Sequence, residues 1–203
     1  MGITIRLFWC ALGGLLWLFA VSALVFGQTA DGDSQRRAVM DQRANKTIDA
    51  ARRASSAVKI FLCGDVMTGR GIVQVLAQPS NPILFESFVK DARDDVRIAE
   101  EINGRIAYPV HFAYVWGDAL KEFERMAPDV KIINRETSVT TSNAYWKGKG
   151  INYRMHSGNV PVLTAAGIDI CALANNHVLD WGYDGLIDTL EALQKVNIKS
   201  TGA

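Results

Sequence analysis

Ala172-Leu173-Ala174-Asn175-Asn176-His177-Val178-Leu179-Asp180-Trp181-Gly182 is the stretch whose reading decides the fold. An apolar run, Ile168 to Cys171, precedes it, and an amphipathic segment from Tyr183 to Val196 comes after it. That order predicts a strand, a polar loop and a helix. In open α/β sheets the loops at the carboxyl ends of strands gather along one edge, and ligands bind there. Two amides, an imidazole and a carboxylate between Asn175 and Asp180 equip this loop for binding.

Two further junctions share the design. Val58 to Cys63 is a short apolar run with β-branched and aromatic residues, the pattern of a buried strand, and it stops at Gly64-Asp65 ahead of Thr68-Gly69-Arg70-Gly71. Val130 to Ile133 runs likewise into Asn134-Arg135-Glu136-Thr137. Three strand ends therefore deliver Asp65, Asn134, Glu136, Asn176 and His177 to one rim. Between them the pattern predicts a short helix over 72–77, broken by Pro79 and Pro82, and a mixed region over 83–105. An amphipathic helix over 116–126 stops ahead of Pro128. Thr137 to Gly150 reads as a loop too polar for the core, and Ile151 to Met155 as a strand. Ser157 is placed to cap a helix over 159–166 that Gly167 stops. Asn197 begins one more strand shortly before the last residue, Ala203. The reading is of a domain shortened at its C-terminus, whose rim would draw later contributors from beyond Ala203.

Charge narrows the partners. The chain carries 22 Lys and Arg against 21 Asp and Glu, and only Arg6 lies in the first 30 residues, so the remainder is formally neutral. Such a balance gives no electrostatic pull on nucleic acid. Three scattered cysteines, Cys10, Cys63 and Cys171, make neither a disulfide framework nor a zinc motif. They read as small buried apolar side chains, with a Cys63–Cys171 bridge as the alternative in an oxidising compartment.

Behind Arg6, Leu7 to Phe26 carries no charge. A bilayer-crossing helix takes about 20 apolar residues and a signal-peptide core about 7–15, so residues 1–27 are expected to be a retained single-pass anchor. Cleavage after Ala23 or Gly27, releasing a secreted protein, is the alternative. Arg6 before the span and Asp31 and Asp33 after it put the globular part outside the cytoplasm. Residues 28–56 are polar and nearly free of large apolar side chains, a linker, and the domain spans 57–203.

Asp65, Glu136, Asn176 and His177 offer hard oxygen donors and one imidazole. That set suits Mg²⁺, Mn²⁺, Fe or Zn²⁺, and a bound cation would polarise a phosphoryl or carbonyl oxygen. The same residue types also cap helices and fix turns, and both readings stand on the sequence. Asp180 serves either as a partner for His177 or as the N-cap of the next helix. No P-loop spacing and no Gly-x-Ser-x-Gly elbow is present, and His111 and His156 stand alone.

Gly64-Asp65-Val66-Met67-Thr68-Gly69-Arg70, Asn134-Arg135-Glu136-Thr137 and Ala174 to Gly182 resemble, in order, the motifs of the CapA family of bacterial capsule-synthesis proteins, which are associated with poly-γ-glutamate. Asn152-Tyr153-Arg154 and Asp188-Thr189-Leu190 also resemble family positions. The resemblance covers about residues 57–203. It implies a four-layer αββα sandwich similar to the calcineurin-like metallophosphoesterases, here incomplete at the C-terminus. It further implies a metal-type site with Asp65, Glu136 and Asn176 as ligands and His177 as the catalytic group, with Asp180 behind it. Arg70, Asn134 and Arg154 would contact substrate. Two functions are implied: an anchored accessory protein that meets poly-γ-glutamate or its synthase, or a metal-dependent hydrolase of phosphoesters or γ-glutamyl amides. There are departures. Met67 stands where phosphoesterases have the histidine of Asp-x-His, and Arg135 where the family more often has an apolar residue. The family's later histidine motifs fall beyond Ala203, so this chain by itself is expected to bind metal poorly and to lack hydrolase activity.

Overall fold

The computed structural model describes residues 4–7, 37, 39–48 and 57–203. The chain divides into two compact units, one holding residues 39–48 and the other residues 59–203. Residues 39–48 form a helix, α1, whose side chains all lie exposed, inside the stretch read as a polar linker. Thr4–Leu7 is a short strand, β1, so the first residue of the expected membrane span is extended. The rest of that span, residues 8–26, lies outside the described residues, as does most of the linker. Among the described residues no helix is long and apolar enough to cross a membrane.

The larger unit is built on β2 (Lys59–Val66), β3 (Val130–Arg135), β6 (Ile170–Ala172) and β7 (Lys199–Thr201). These four run parallel and adjacent in chain order, with β1 at the β2 edge. Parallel neighbours need long crossovers, and the helical segments between the strands supply them. The helices are α2 (Arg70–Gln74), α3 (Arg93–Asn103), α4 (Ala119–Met126), α5 (Pro161–Ala165) and α6 (Gly182–Lys195). Ile133 and Cys171, in central strands, are fully buried, and Leu163, Leu173, Leu193 and Ile198 pack around them. On α6 the buried residues are Gly185, Thr189, Ala192 and Leu193, one stripe at helical spacing.

Several expectations shift. α3 occupies the region read as mixed. It buries only Val96, leaving Ile98 and Ile102 exposed; Asp94 and Asp95 in its first turn and Gly104 at φ 86° delimit it. α4 stops ahead of Pro128 as predicted, with Ala127 left-handed. Ser157 is not the cap it was expected to be. The His156 ring accepts from Gly158 N, and a short 3-10 turn over Ser157–Asn159 precedes α5, with Pro161 opening the helix.

The largest correction concerns Thr137 to Gly150. Its first four residues are buried, and β4 (Ser138–Val139) pairs in parallel with β5 (Arg154–Met155). The two threonine hydroxyls survive burial here because they are bonded. Thr137 Oγ1 accepts from Thr68 N at 2.9 Å, and Thr140 Oγ1 donates to Asp188 at 2.5 Å. The register places Ile133 between Cys63 and Cys171. Two strand spacings, about 9–10 Å, exceed what a disulfide bridges.

Candidate functional site

The rim begins at a bulge. Cys63 faces Ile133 and Asp65 faces Asn134, so Gly64 is one residue more than the partner strand supplies. The extra residue turns Asp65 toward Asn134, whose Nδ2 donates to Asp65 Oδ1 at 2.6 Å. Asn175 then ties β6 to β3, since its Nδ2 donates to Asn134 Oδ1 (3.0 Å) and to the Arg135 carbonyl (2.9 Å). Its Oδ1 accepts from His177 N at 2.9 Å, an Asx turn that sets the path of the loop. Three strand ends are thus held together by side-chain amides.

Glu136 completes this end of the rim beside Asp65. Burial foremost, then the neighbouring Asp65 charge and a hydrogen bond shared with it, hold the Glu136 carboxyl above its ordinary range; His177 and Lys149 act in the opposite sense. Asp65, Asn134 and Glu136 lie together at this rim, and His177 is near enough for its charge to act on the Glu136 carboxyl. Of the two adjacent amides, Asn175 is the one woven into the rim. The Asn176 residue is exposed, and its backbone carbonyl accepts from Lys149 Nζ at 2.5 Å.

Behind the rim lies a buried carboxylate. The Asp180 side chain has no exposure and accepts from three donors: Lys149 Nζ (2.5 Å), Tyr153 N (2.7 Å) and His177 Nδ1 (2.7 Å). The same ring nitrogen, His177 Nδ1, also lies 3.1 Å from Lys149 Nζ, so the imidazole, the ammonium and the carboxylate form one cluster. Tyr153 stacks on the imidazole with centroids 4.3 Å apart, and the Asp180 carbonyl accepts from Trp146 N and Asn152 Nδ2. Trp181, not Asp180, occupies the N-cap of α6. Sequence reasoning does not pick out Lys149, and it marks Tyr153 only as a neighbour of Arg154 in a family motif. Lys149 sits in a loop with no pattern of its own, and only tertiary contact reveals it.

The three arginines of the motifs have different fates. Arg70, at φ 53°, is held by Glu86 (2.9 Å) and by both oxygens of Asp95 (3.1 and 3.2 Å). Arg135 is 2% exposed, donates to Thr68 Oγ1 at 2.9 Å and leaves its Nε without a partner. Burial pushes its pKa down to about 10, so it stays charged at neutral pH, sealed away from any polymer. Arg154 lies over the Trp181 ring, 4.1 Å from its centroid.

The donor set meets only part of the need of the metal that the resemblance implies. Asp65 and Glu136 form a carboxylate pair short of positive charge, chemistry that suits a hard cation. No third ligand joins them: among the described residues no three His, Cys, Asp or Glu side chains converge as a metal-holding group. The residues present do not by themselves fit a resident metal.

Residues 59–203 match the family model described as bacterial capsule synthesis protein PGA_cap. The chain belongs to that family. Probable polyglutamine synthesis accessory proteins from two strains of Mycobacterium tuberculosis are each 49% identical to it over 146 residues, 72% of this chain and 38% of theirs. The chain thus spans 38% of the length of these curated relatives. The matched span contains the whole rim, from Asp65 to Asp180.

Proposed function

We propose that this family member is an accessory protein of capsular poly-γ-glutamate synthesis or export, held at the cell membrane by its uncharged N-terminal run with the domain outside the cytoplasm. The observation that carries the reading is the 49% identity to proteins named as polyglutamine synthesis accessory proteins, across the span that holds the rim. The polymer or its synthase complex is the partner. In the four-layer arrangement of the resemblance, the β4–β5 pair is the start of the second sheet. Deleting the gene in its host abolishes cell-associated γ-linked polyglutamate, and the intact gene restores it. Unchanged polymer in the deletion strain refutes the accessory role.

One observation favours a second reading, hydrolysis of a phosphoester or γ-glutamyl amide. Asp180 holds the His177 ring through Nδ1, and Glu136, its carboxyl held above the ordinary range, lies at the same rim. An imidazole and a carboxyl whose affinity for its proton is raised are the residue types that act as base and acid in such a cleavage. Hydrolysis of a generic phosphodiester or γ-glutamyl amide that survives His177→Ala unchanged removes this reading.

A further inference from the structure

A negatively charged polymer needs a cation that the protein has not already spent. Arg70 is matched by two carboxylates, and Arg135 is sealed in the core. Arg154 differs from both. Its Nη1 donates to the Ser142 carbonyl (2.7 Å) and to Asn143 Oδ1 (3.1 Å), and among the described residues no carboxylate pairs with it. Burial lowers its pKa, and no acidic neighbour opposes that pull.

The seat beneath Arg154 is rigid. Trp181 is almost fully buried, and its indole N–H donates to the Tyr153 carbonyl at 2.9 Å. Phe85 and Tyr145, stacked with centroids 3.6 Å apart, flank the indole. A guanidinium lying on this ring has its plane set before any ligand arrives. Its Nε–H and Nη2–H remain uncommitted, and that edge is the parallel donor pair a carboxylate accepts bidentately. A half-buried cation without a counter-charge costs the fold stability, a cost that a bound anion offsets.

We propose that Arg154, seated on Trp181, is the subsite that binds one carboxylate of a γ-linked glutamate chain. The inference rests on the accessory reading and names the group that meets the polymer. Isothermal titration of the full chain with synthetic γ-linked octaglutamate, and with its neutral side-amide counterpart, tests it. The acidic oligomer binds and the neutral one does not. Arg154→Met weakens binding by about 30-fold or more, the low end for breaking a hydrogen-bonded charge pair. Arg154→Lys, which keeps the charge and loses the fork, falls between the two and retains the parent's melting midpoint, so it decides the matter should the Met variant misfold. Parent-like binding by both variants overturns the subsite and leaves the accessory role standing. Failure of the parent to bind octaglutamate, or equal displacement by inorganic phosphate and by glutarate, overturns the carboxylate assignment, while the gene deletion judges the role separately.

Discussion

Replacing Asp180 with Asn tests the centre of the site. The substitution keeps the shape and swaps one accepting oxygen for an NH₂ group. Asp180 receives Lys149, Tyr153 N and His177 Nδ1, donors all, with no exposure of its own side chain. An amide can face at most part of that set, and the Lys149 ammonium loses its counter-charge. Breaking a buried pair from one side costs about 3–5 kcal/mol. The Lys149 side chain is 25% exposed and can turn toward water, which places its share at the low end. A backbone N–H of Tyr153 left against an NH₂ adds about 1 kcal/mol. The expected loss is therefore about 4 kcal/mol, a fall in melting midpoint of about 10 °C for a domain of this size. Urea unfolding of the parent, Asp180→Asn, Lys149→Met and the double variant measures it. The double variant loses less than the two singles added, by about 1 kcal/mol or more, because the unpaired ammonium is gone. An Asp180→Asn midpoint equal to the parent's, or two singles that simply add, refutes the picture of one carboxylate holding the cluster.

Two further outcomes concern the charged groups. The Glu136 carboxyl sits above its ordinary value, so the native chain keeps a proton over a pH window in which the unfolded chain has released it; stability falls as pH rises through that window. Glu136→Gln therefore melts above the parent at neutral pH and matches it below about pH 4, where the carboxyl is protonated in both states, and a lower melting point at neutral pH contradicts the assignment. Arg135 has no carboxylate among the described residues and one unbonded N–H, so Arg135→Met is at least as stable as the parent in urea, and a loss beyond about 1 kcal/mol refutes the uncompensated cation.

The amino-acid sequence by itself determined β2, β3, β6 and β7, the order of the loops after them and which of those loops carry chemistry. Runs such as Val130 to Ile133 are too apolar to lie anywhere but a covered sheet, and the residues after each run are polar enough to need water or a partner. Parallel pairing then brings Asp65, Asn134, Glu136 and His177 to one edge whatever the detail of the helices, because strands with crossovers all point the same way. α3 stayed hidden because six of its eleven residues are charged and only Val96 is buried, so the segment reads as solvated surface.

Tertiary structure decided what each polar group is for. Nothing local distinguishes Asn175 from Asn176, and only the closeness of β3 to β6 assigns the bonds to the first. Three motif arginines look alike in the chain, yet one is neutralised, one enclosed and one left with a free edge, according to which carboxylates and rings the fold brings near. Lys149 and Asp180 are 31 positions apart and become an ion pair only when the loop carrying Lys149 folds back. Hydrophobic periodicity is set by neighbours along the chain, whereas a charge answers to whatever lies a few ångströms away, and distance in sequence does not predict that.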